Sequence, residues 1–305
     1  MEEYRDSTPD LDRPDTLRTR LAEEGCLFFR GLIPSADVVT VRERTLRALD
    51  DAGWLEDGTD PRLAKPGPTV VNEGDEDFFD AYTLVQAAEP FHALAHHPRL
   101  RELAGRLVGD NLLVHPRKIA RISFPNNPRG TTPPHQDFRY IQGTTDVFTT
   151  WLPLGRCPAD LGGLKVLRGS HENGLMPVHW NDERAVGIEV DVDPNDRDWA
   201  TTEYEPGDVI LFHSLTVHGA MPNNTGQMRL SADYRYQSAK DPLVGGTLKP
   251  HWYPKVPDWP ELVADWRSLA PIETPAELEI NEFVRGLELP PLGRSKYFEF
   301  AGQAG

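Results

Sequence analysis

Along the first third of the chain, apolar residues recur at the spacing of an amphipathic helix. Leu17 and Leu21 lie one helical turn apart in the stretch Thr16–Glu24. Gly25 follows directly and is expected to end that helix, since glycine adopts the left-handed conformation of a helix C-terminus easily. The uninterrupted apolar run Cys26–Phe29 then predicts a buried strand.

Two more helices are expected before residue 110, with helical packing also expected around Leu84, Val85, Phe91, Leu94 and Ala95. One begins at Ser35, whose hydroxyl can cap it, and another runs from Pro98 to Val108. The apolar side of the first of these helices is expected to contain Val38, Val39, Val41, Leu46 and Leu49. Residues 55–80 have no periodicity and predict a loop. We therefore expect a mostly helical part over residues 15–110, preceded by a loose tail over residues 1–14.

After residue 110 the pattern changes to short strands separated by Gly, Pro and Asn turns. Strands are expected over Leu112–Phe124, Asp146–Leu154, Leu164–Leu167, the run after Pro206-Gly207-Asp208, and residues 229–237. Helices followed by many short strands predict a mainly β fold with flanking helices (α+β), a double-stranded β-helix or cupin-like jelly roll over residues 111–237. Residues 172–203 are expected to be an insertion whose acids form a solvated face. Residues 238–305 are expected to be a C-terminal extension, long enough to act as a lid.

Charge and composition narrow the possible partners. The chain has 305 residues, with 32 basic and 48 acidic residues and a formal net charge of −16, which argues against nucleic acid and anionic membranes. No apolar run of about 18 residues is present, so a cytoplasmic protein with a single domain over 1–305 is expected. Cys26 and Cys157 are too few for a disulfide framework and are expected to be reduced thiols.

Three residues have the chemistry and spacing of a metal site. His135 and Asp137 lie two residues apart, so on a strand both side chains would point to one face. His218 follows the apolar strand after Pro206-Gly207-Asp208 and would come at that strand's end. An imidazole pair with one carboxylate is the 2-His-1-carboxylate facial triad of non-haem Fe(II) enzymes.

A receptor for a carboxylate is predicted downstream of these residues. Arg229 begins a strand and Ser231 lies on the same face, so a guanidinium fork and a hydroxyl are adjacent. With the metal ligands, this pair implies a dicarboxylate cosubstrate that chelates the metal. Arg121 is expected on the inner face of its strand, where it either holds a substrate carboxylate or pairs with a structural acid.

The sequence resembles the phytanoyl-CoA dioxygenase-like family of Fe(II)/2-oxoglutarate oxygenases from about residue 17 to residue 237. The matching pieces are Glu23–Pro34, His135-Gln136-Asp137, Trp151, Gly162–His171, Pro206-Gly207-Asp208, His218 and Arg229. Arg168 departs from the family, which more often has Pro at this position before Gly-Ser-His. The resemblance places His171 at a structural turn and implies the jelly-roll fold.

The resemblance also implies the cofactors and the reaction. Fe(II) bound by His135, Asp137 and His218 would work with O2 and 2-oxoglutarate, whose distal carboxylate would meet Arg229 and Ser231. Gln136 and Trp151 would border the cosubstrate. The implied reaction is hydroxylation of an unactivated C–H bond of a small molecule, with release of succinate and CO2. Bacterial specialised metabolism is the candidate setting for this reaction. Desaturation, cyclisation or epimerisation are alternatives, as is a non-catalytic metal-binding jelly roll.

The residues next to the ligands suggest a substrate pocket. Phe138, Arg139 and Tyr140 follow the ligand pair, while Trp151 and Arg121 would lie opposite. Aromatic walls with a few polar groups are the usual composition of a small-molecule site. Asp137 argues against halogenation, in which the family replaces this carboxylate by Gly or Ala. The acidic composition argues against a CoA thioester as substrate. The oligomeric state is not predicted.

Overall fold

The computed structural model describes residues 1–109 and 111–287. Its helices are α1 (Pro14–Glu24), α2 (Ser35–Asp51), α3 (Phe78–Gln86), α4 (Glu89–Ala93), α5 (Pro98–Val108), α6 (Phe138–Ile141) and α7 (Trp259–Leu262). The predicted helices near residues 16–24, 35–51 and 98–108 are thus confirmed. None of the helices in the described ranges has both the length and the apolar character needed to cross a membrane.

Gly25 ends α1 in the left-handed conformation, with a φ of 72°, as predicted. Two details of α2 differ from expectation. Ser35, however, is already the first residue of α2, and no side chain caps that helix. Val39 lies on the exposed side of α2, whereas Val38, Val41, Leu46 and Leu49 are buried. The 3.6-residue period separates Val39 by about 100° from Val38 and explains the difference.

The strands of the described residues form two larger sheets, which face each other, and two separate two-stranded sheets. The strands are β1 (Glu2–Glu3), β2 (Cys26–Phe29), β3 (Leu112–Val114), β4 (Ile119–Ser123), β5 (Phe148–Pro153), β6 (Leu164–Leu167), β7 (Val178–Trp180), β8 (Ile188–Val190), β9 (Trp199–Thr201), β10 (Val209–His213), β11 (His218–Ala220), β12 (Arg229–Ser238), β13 (Leu243–Val244) and β14 (Ile280–Asn281). The major sheet has the order β2-β10-β5-β12-β3, with β4 also paired to β12. The minor sheet has the order β1-β9-β6-β11. The fold is the predicted jelly roll with flanking helices.

The helices cover the outer face of the major sheet through β12. Tyr234 and Tyr236 point outward from this strand and donate hydrogen bonds to the carbonyls of Phe91 and Ala95, both at 2.8 Å. Arg229, Ser231, Asp233 and Arg235 alternate with them and point inward, as their period of two predicts. One strand therefore carries a structural face and a face of buried polar groups.

Three expectations about strands and termini are wrong. The predicted strand over residues 112–124 is two strands, because His115–Lys118, which contains Pro116, interrupts the pairing with β12. Residues 1–14 are not a loose tail: β1 pairs with β9, and the hydroxyl of the buried Tyr4 donates to the Leu164 carbonyl at 3.1 Å. Residues 172–203 are not only an insertion, because β9 pairs with β6 inside the minor sheet.

Candidate active site

A β-bridge between His135 and His218 joins the strand-free segment after Pro134 to the minor sheet. The His135 amide donates to the His218 carbonyl at 2.9 Å, and the His218 amide donates to the His135 carbonyl at 3.0 Å. Asp137 was predicted to lie on the same strand as His135, but it occupies the N-cap position of α6. Pro133 and Pro134 lack amide donors and can only accept, so upstream of His135 the contact to β11 is a single hydrogen bond, from the Ala220 amide to the Thr132 carbonyl at 3.0 Å.

His218 also reaches the site in a different way from that expected. It does not end the apolar strand β10 but begins β11, after the turn Ser214–Val217 has carried the chain from the major sheet to the minor one. In the minor sheet His218 lies opposite Val166 of β6. His218 is therefore held by backbone pairing on both sides, to His135 and to Val166.

Hydrogen bonds fix which nitrogen of each histidine faces the site. His135 Nδ1 lies 2.9 Å from the Pro133 carbonyl, and His218 Nδ1 lies 2.9 Å from the Thr216 carbonyl. A carbonyl oxygen can only accept, so Nδ1 carries the proton and Nε2 keeps its lone pair. Burial, followed by the charge of His218, lowers the pKa of His135 to about 3, and burial also lowers the pKa of His218. Both rings are thus neutral ligand donors at neutral pH.

Asp137 is held as a carboxylate by two partners. The Thr149 hydroxyl donates to Oδ2 at 2.6 Å, and Arg235 donates from Nε to Oδ2 at 3.2 Å and from Nη2 to Oδ1 at 3.0 Å. Burial alone raises the pKa of Asp137, but the charge of Arg235, followed by smaller contributions from His218 and His135, holds it well below its usual range. Asp137 is therefore ionised.

The three side chains converge on one point. Asp137 Oδ1 lies 3.8 Å from Nε2 of His135 and 3.8 Å from Nε2 of His218. One ligand atom from each of the three residues lies within 4.8 Å of the others, and all three residues are buried. Two neutral imidazoles and one carboxylate on the same side of a point form a facial donor set for a divalent first-row metal, and suit Fe(II).

Beside the triad lies a small cavity between the two sheets, the inner cavity. It is lined by Arg121, Thr132, His135, Trp151, Leu164, Phe212, His218, Gly219, Ala220, Arg229 and Asp233. Arg229 Nη1 donates to the Ser231 hydroxyl at 2.8 Å, as the shared face predicts. Arg229 Nε is buried without a hydrogen-bond partner, and within the described ranges no carboxylate forms an ion pair with this guanidinium. A buried cation in this state is a receptor for an anion.

Trp151 lies where it was expected, and Gln136 does not. The Arg229 guanidinium carbon is 5.8 Å from the centroid of the Trp151 ring, so Trp151 forms a wall of the inner cavity. Gln136 points to the other side of the backbone from its two neighbours and donates to the carbonyls of Gly174 and Leu215, at 2.8 and 2.6 Å. It therefore holds loops together and does not border either cavity.

A larger cavity of about 420 Å³, the outer cavity, opens on the other side of the triad. His135, Asp137 and Tyr140 line it, and the Tyr140 hydroxyl is buried without a hydrogen-bond partner. Phe138 and Arg139 were expected here too, but neither lines it. Arg139 donates to the carbonyls of Met176 and Leu287 instead. Helix α6 turns successive side chains by about 100°, so only one of the three can face the metal site.

Arg121 points inward as predicted, but its guanidinium is already paired. Its Nε donates to Asp233 Oδ2 at 2.9 Å, and its Nη1 donates to Glu73 Oε2 at 3.0 Å. Despite burial, the charges of Glu73 and Asp233 raise the pKa of Arg121. Of the two alternatives for Arg121, the geometry supports the pairing with structural acids.

Segments outside the two large sheets close the outer cavity. Glu73 comes from the loop before α3, the residues Trp180 and 185–188 come from the β7–β8 hairpin, and the residues 251–253 and Phe283 come from the C-terminal extension. The Trp252 indole donates to Glu73 Oε1 at 3.2 Å, so two of these segments are joined. Sequence reasoning left open whether residues 55–80 and the extension cover the site; both supply wall residues.

Fold and site together define a jelly roll with a 2-His-1-carboxylate metal centre between its sheets. Residues 21–231 match the model of the phytanoyl-CoA dioxygenase (PhyH) family. The chain belongs to this family and is an oxygenase.

Curated relatives cover most of the chain. A 1-deoxypentalenic acid 11-beta-hydroxylase of Streptomyces arenae is 30% identical over 281 residues, which is 86% of this chain and 92% of the relative. Its counterpart in Streptomyces exfoliatus is 28% identical, over 87% of this chain and 93% of the relative.

Solved structures share the fold at low sequence identity. The non-heme monooxygenase ThoJ in its apo form has a TM-score of 0.54 at 21% identity, covering 74% of this chain and 78% of ThoJ. The epimerase SnoN, solved in complex with Fe3+, alpha ketoglutarate and nogalamycin RO, has a TM-score of 0.53 at 20% identity, covering 75% of this chain and 85% of SnoN.

Proposed function

We propose that this protein is an Fe(II)- and 2-oxoglutarate-dependent dioxygenase that hydroxylates an unactivated carbon of a small molecule in bacterial specialised metabolism. The observation that carries the proposal is a buried His-Asp-His triad beside a buried guanidinium, Arg229, which no acid neutralises within the described ranges. The two Streptomyces hydroxylases, which align over most of the chain, support the reaction type.

The donor set fits iron. His135 and His218 present neutral Nε2 atoms and Asp137 presents an ionised oxygen, so the site offers three ligands and a single negative charge. A divalent metal with three remaining coordination positions suits this arrangement. When bound, Fe(II) with 2-oxoglutarate supplies O2 activation coupled to decarboxylation of the cosubstrate to succinate and CO2.

The inner cavity fits the distal carboxylate of 2-oxoglutarate. Arg229 lines this small space and its Nε lacks a partner, while the Ser231 hydroxyl accepts from Arg229 Nη1 at 2.8 Å and holds the guanidinium in place. Burial lowers the pKa of Arg229 because it disfavours the charged guanidinium, and a carboxylate bound beside it would offset this cost. Trp151, Phe212 and Leu164 give the cavity apolar walls.

The remaining task of the protein is to orient the ligands and to keep water away from them. Thr149 and Arg235 fix both oxygens of Asp137, which sets the direction of the lone pairs toward the two histidines. The outer cavity holds the substrate next to the triad, and its walls from the β7–β8 hairpin and residues 251–253 exclude solvent. Its volume of about 420 Å³ suits a molecule of modest size.

Metal content and product analysis test the proposal. His135→Ala and Asp137→Ala are expected to lose stoichiometric Fe(II) binding and 2-oxoglutarate turnover. His179→Ala is the matched control, because His179 lies half-exposed on β7 outside the triad. Retention of full iron stoichiometry in both site variants would overturn the assignment of the ligands.

The type of reaction is read from the product. With a substrate that stimulates succinate formation, mass spectrometry is expected to show the gain of one oxygen atom. Loss of two hydrogens would indicate desaturation or cyclisation, and an unchanged mass with altered stereochemistry would indicate epimerisation. A protein that binds iron but never converts 2-oxoglutarate would be a non-catalytic metal-binding module.

A further inference from the structure

The outer cavity contains a guanidinium without an acid partner, as the inner cavity does with Arg229. Arg117 lies in the segment His115–Lys118 between β3 and β4, and its side chain lines the outer cavity. Its Nε donates to the Lys249 carbonyl at 3.3 Å, and its amide donates to the Thr247 carbonyl at 3.2 Å. Neither terminal nitrogen of this guanidinium has a hydrogen-bond partner among residues 1–109 and 111–287.

The other guanidinium groups around the site are committed. Arg121 pairs with Glu73 and Asp233. Arg235 forms its two-point contact with Asp137. Arg229 faces the inner cavity, where the proposed cosubstrate binds. Arg117 is the remaining arginine that lines either cavity in the described part of the chain.

The charges around the two cavities also leave one positive charge without a partner. Within the described ranges, the charged groups that line the two cavities are four guanidinium groups and three carboxylates: Arg117, Arg121, Arg229 and Arg235 against Glu73, Asp137 and Asp233. The histidines do not change this balance, because burial lowers the pKa values of His135, His218 and His251. Fe(II) and the dianion 2-oxoglutarate cancel each other, so one positive charge remains. Burial, followed by the charge of Arg235, lowers the pKa of Arg117 to about 10, which leaves it protonated at neutral pH.

We propose that Arg117 binds a carboxylate of the substrate, so that the substrate is an organic acid with one negative charge. This inference rests on the proposed function, because it takes the outer cavity as the substrate site. A carboxylate there satisfies both the unpaired guanidinium edge and the unbalanced charge. It also explains why Arg117 and not Arg121 is the anchor, since the acids on Arg121 leave no net charge for a ligand.

The other walls of the outer cavity define the rest of the substrate. Ile119, Ile141, Val186 and Ile188 give it aliphatic surface, and Trp252 and Phe283 add aromatic surface. The Tyr140 hydroxyl is the unpartnered polar group next to His135, with 5.8 Å between the two ring centroids. The anchored molecule is therefore a hydrocarbon skeleton that carries its carboxylate at one end.

Paired probes test the charge preference. A panel of apolar monocarboxylic acids, with 1-deoxypentalenic acid among them, and the methyl ester of each acid is titrated calorimetrically into protein loaded anaerobically with Fe(II) and 2-oxoglutarate. At least one acid is expected to bind about 10- to 100-fold more tightly than its ester. Arg117→Gln is expected to remove this preference, and Arg117→Lys to keep part of it. Arg62→Gln, a variant of an exposed arginine, is the control.

Separate measurements distinguish failure of this inference from failure of the proposed function. Each variant is also tested for Fe(II) and 2-oxoglutarate binding and for its melting temperature, which Arg117→Gln is expected to leave close to those of the parent. If 2-oxoglutarate binds but every ester binds as tightly as its acid, or if Arg117→Gln keeps the preference for acids, Arg117 is not the anchor. If the parent binds neither Fe(II) nor 2-oxoglutarate, the proposed function itself is wrong, and the inference falls with it.

Discussion

Arg235 donates two hydrogen bonds to Asp137, one to each carboxylate oxygen, at 3.2 and 3.0 Å. Both side chains are buried, so each would be costly without the other. The contact leaves Asp137 ionised and fixes its plane, while its Oδ1 still lies 3.8 Å from Nε2 of each histidine. Arg235 is therefore a positioning residue for the metal ligand.

Arg235→Lys is expected to weaken Fe(II) binding by about tenfold or more, because lysine keeps the charge but loses the two-point fork. Thr149→Val is expected to have a smaller effect, since Arg235 still holds the carboxylate. Anaerobic titration of Fe(II) against a competing chelator measures both. Arg197→Lys, at an exposed position, is the control. Equal iron affinity in Arg235→Lys and the parent would contradict this role.

Arg229→Ala is expected to weaken 2-oxoglutarate binding by about tenfold or more while iron remains bound, because a charge-assisted hydrogen bond contributes about 1.5–3 kcal/mol. Ser231→Ala is expected to weaken it less, since this hydroxyl is uncharged. Calorimetric titration of 2-oxoglutarate into the Fe(II)-loaded protein gives both values. If Arg229→Ala binds the cosubstrate as tightly as the parent, the receptor for its distal carboxylate lies elsewhere.

Arg121→Met is expected to destabilise the fold, because it leaves Glu73 and Asp233 without their cation. Removing one partner from a fully buried ion pair costs about 3–5 kcal/mol, and the partial exposure of Glu73 places the expected loss at or below the lower end. Urea unfolding measures the loss. The triple variant Arg121→Met, Glu73→Gln, Asp233→Asn is expected to regain much of the stability. A single variant as stable as the parent would show that the pairing contributes nothing.

Lys118 predicts a pH dependence of stability. Its side chain is fully buried, and its Nζ lies 2.5 Å from the Pro271 carbonyl. Burial lowers its pKa to about 7. Between pH 7 and about 10.4, the ordinary lysine pKa, the unfolded chain binds the proton more strongly than the folded one, so the contribution of Lys118 to stability rises with pH.

Lys118→Met removes this contribution. Relative to the parent, the variant is expected to be most favoured at pH 7 and progressively less favoured up to pH 10, since only the parent gains from deprotonation. The free energy of unfolding of both proteins is measured in urea at several pH values. In the difference between parent and variant at each pH, the contributions of the other titrating groups cancel. A difference that stays constant over this range would contradict the lowered pKa.

Much of the fold was predictable because burial imposes clear periods on the sequence. The alternation along β12 predicted which residues face inward, and the helical spacing of Leu17 and Leu21 predicted α1. The same alternation could have identified Arg235, which lies on the face of Arg229 and Ser231 at an inward position. Its role was missed because the sequence alone does not show that Asp137 lies across from it.

The local geometry of the ligands could not be predicted in the same way. His135 and Asp137 were expected on one strand, yet they converge through a single β-bridge followed by the start of α6. Phe138 and Arg139 were assigned to the cavity because they directly follow the ligand pair, but the helical turn of α6 directs both away from it. Glu73 and Trp252 lie 179 residues apart and meet only after folding. No local pattern signals such a contact.

The residues of the reaction centre and the walls of the outer cavity lie on different parts of the fold, and this separation bears on how the enzyme can evolve. The residues proposed to bind iron and 2-oxoglutarate lie on strands of the two large sheets or directly next to such strands. Half of the residues that line the outer cavity belong to the β7–β8 hairpin, the loop before α3 and the C-terminal extension, and such segments tolerate replacement far better than the strands of the two large sheets do. Natural selection can therefore exchange the entrance of the site while the reaction centre persists, and a laboratory that seeks new substrates should randomise residues 185–188 and 251–253 first.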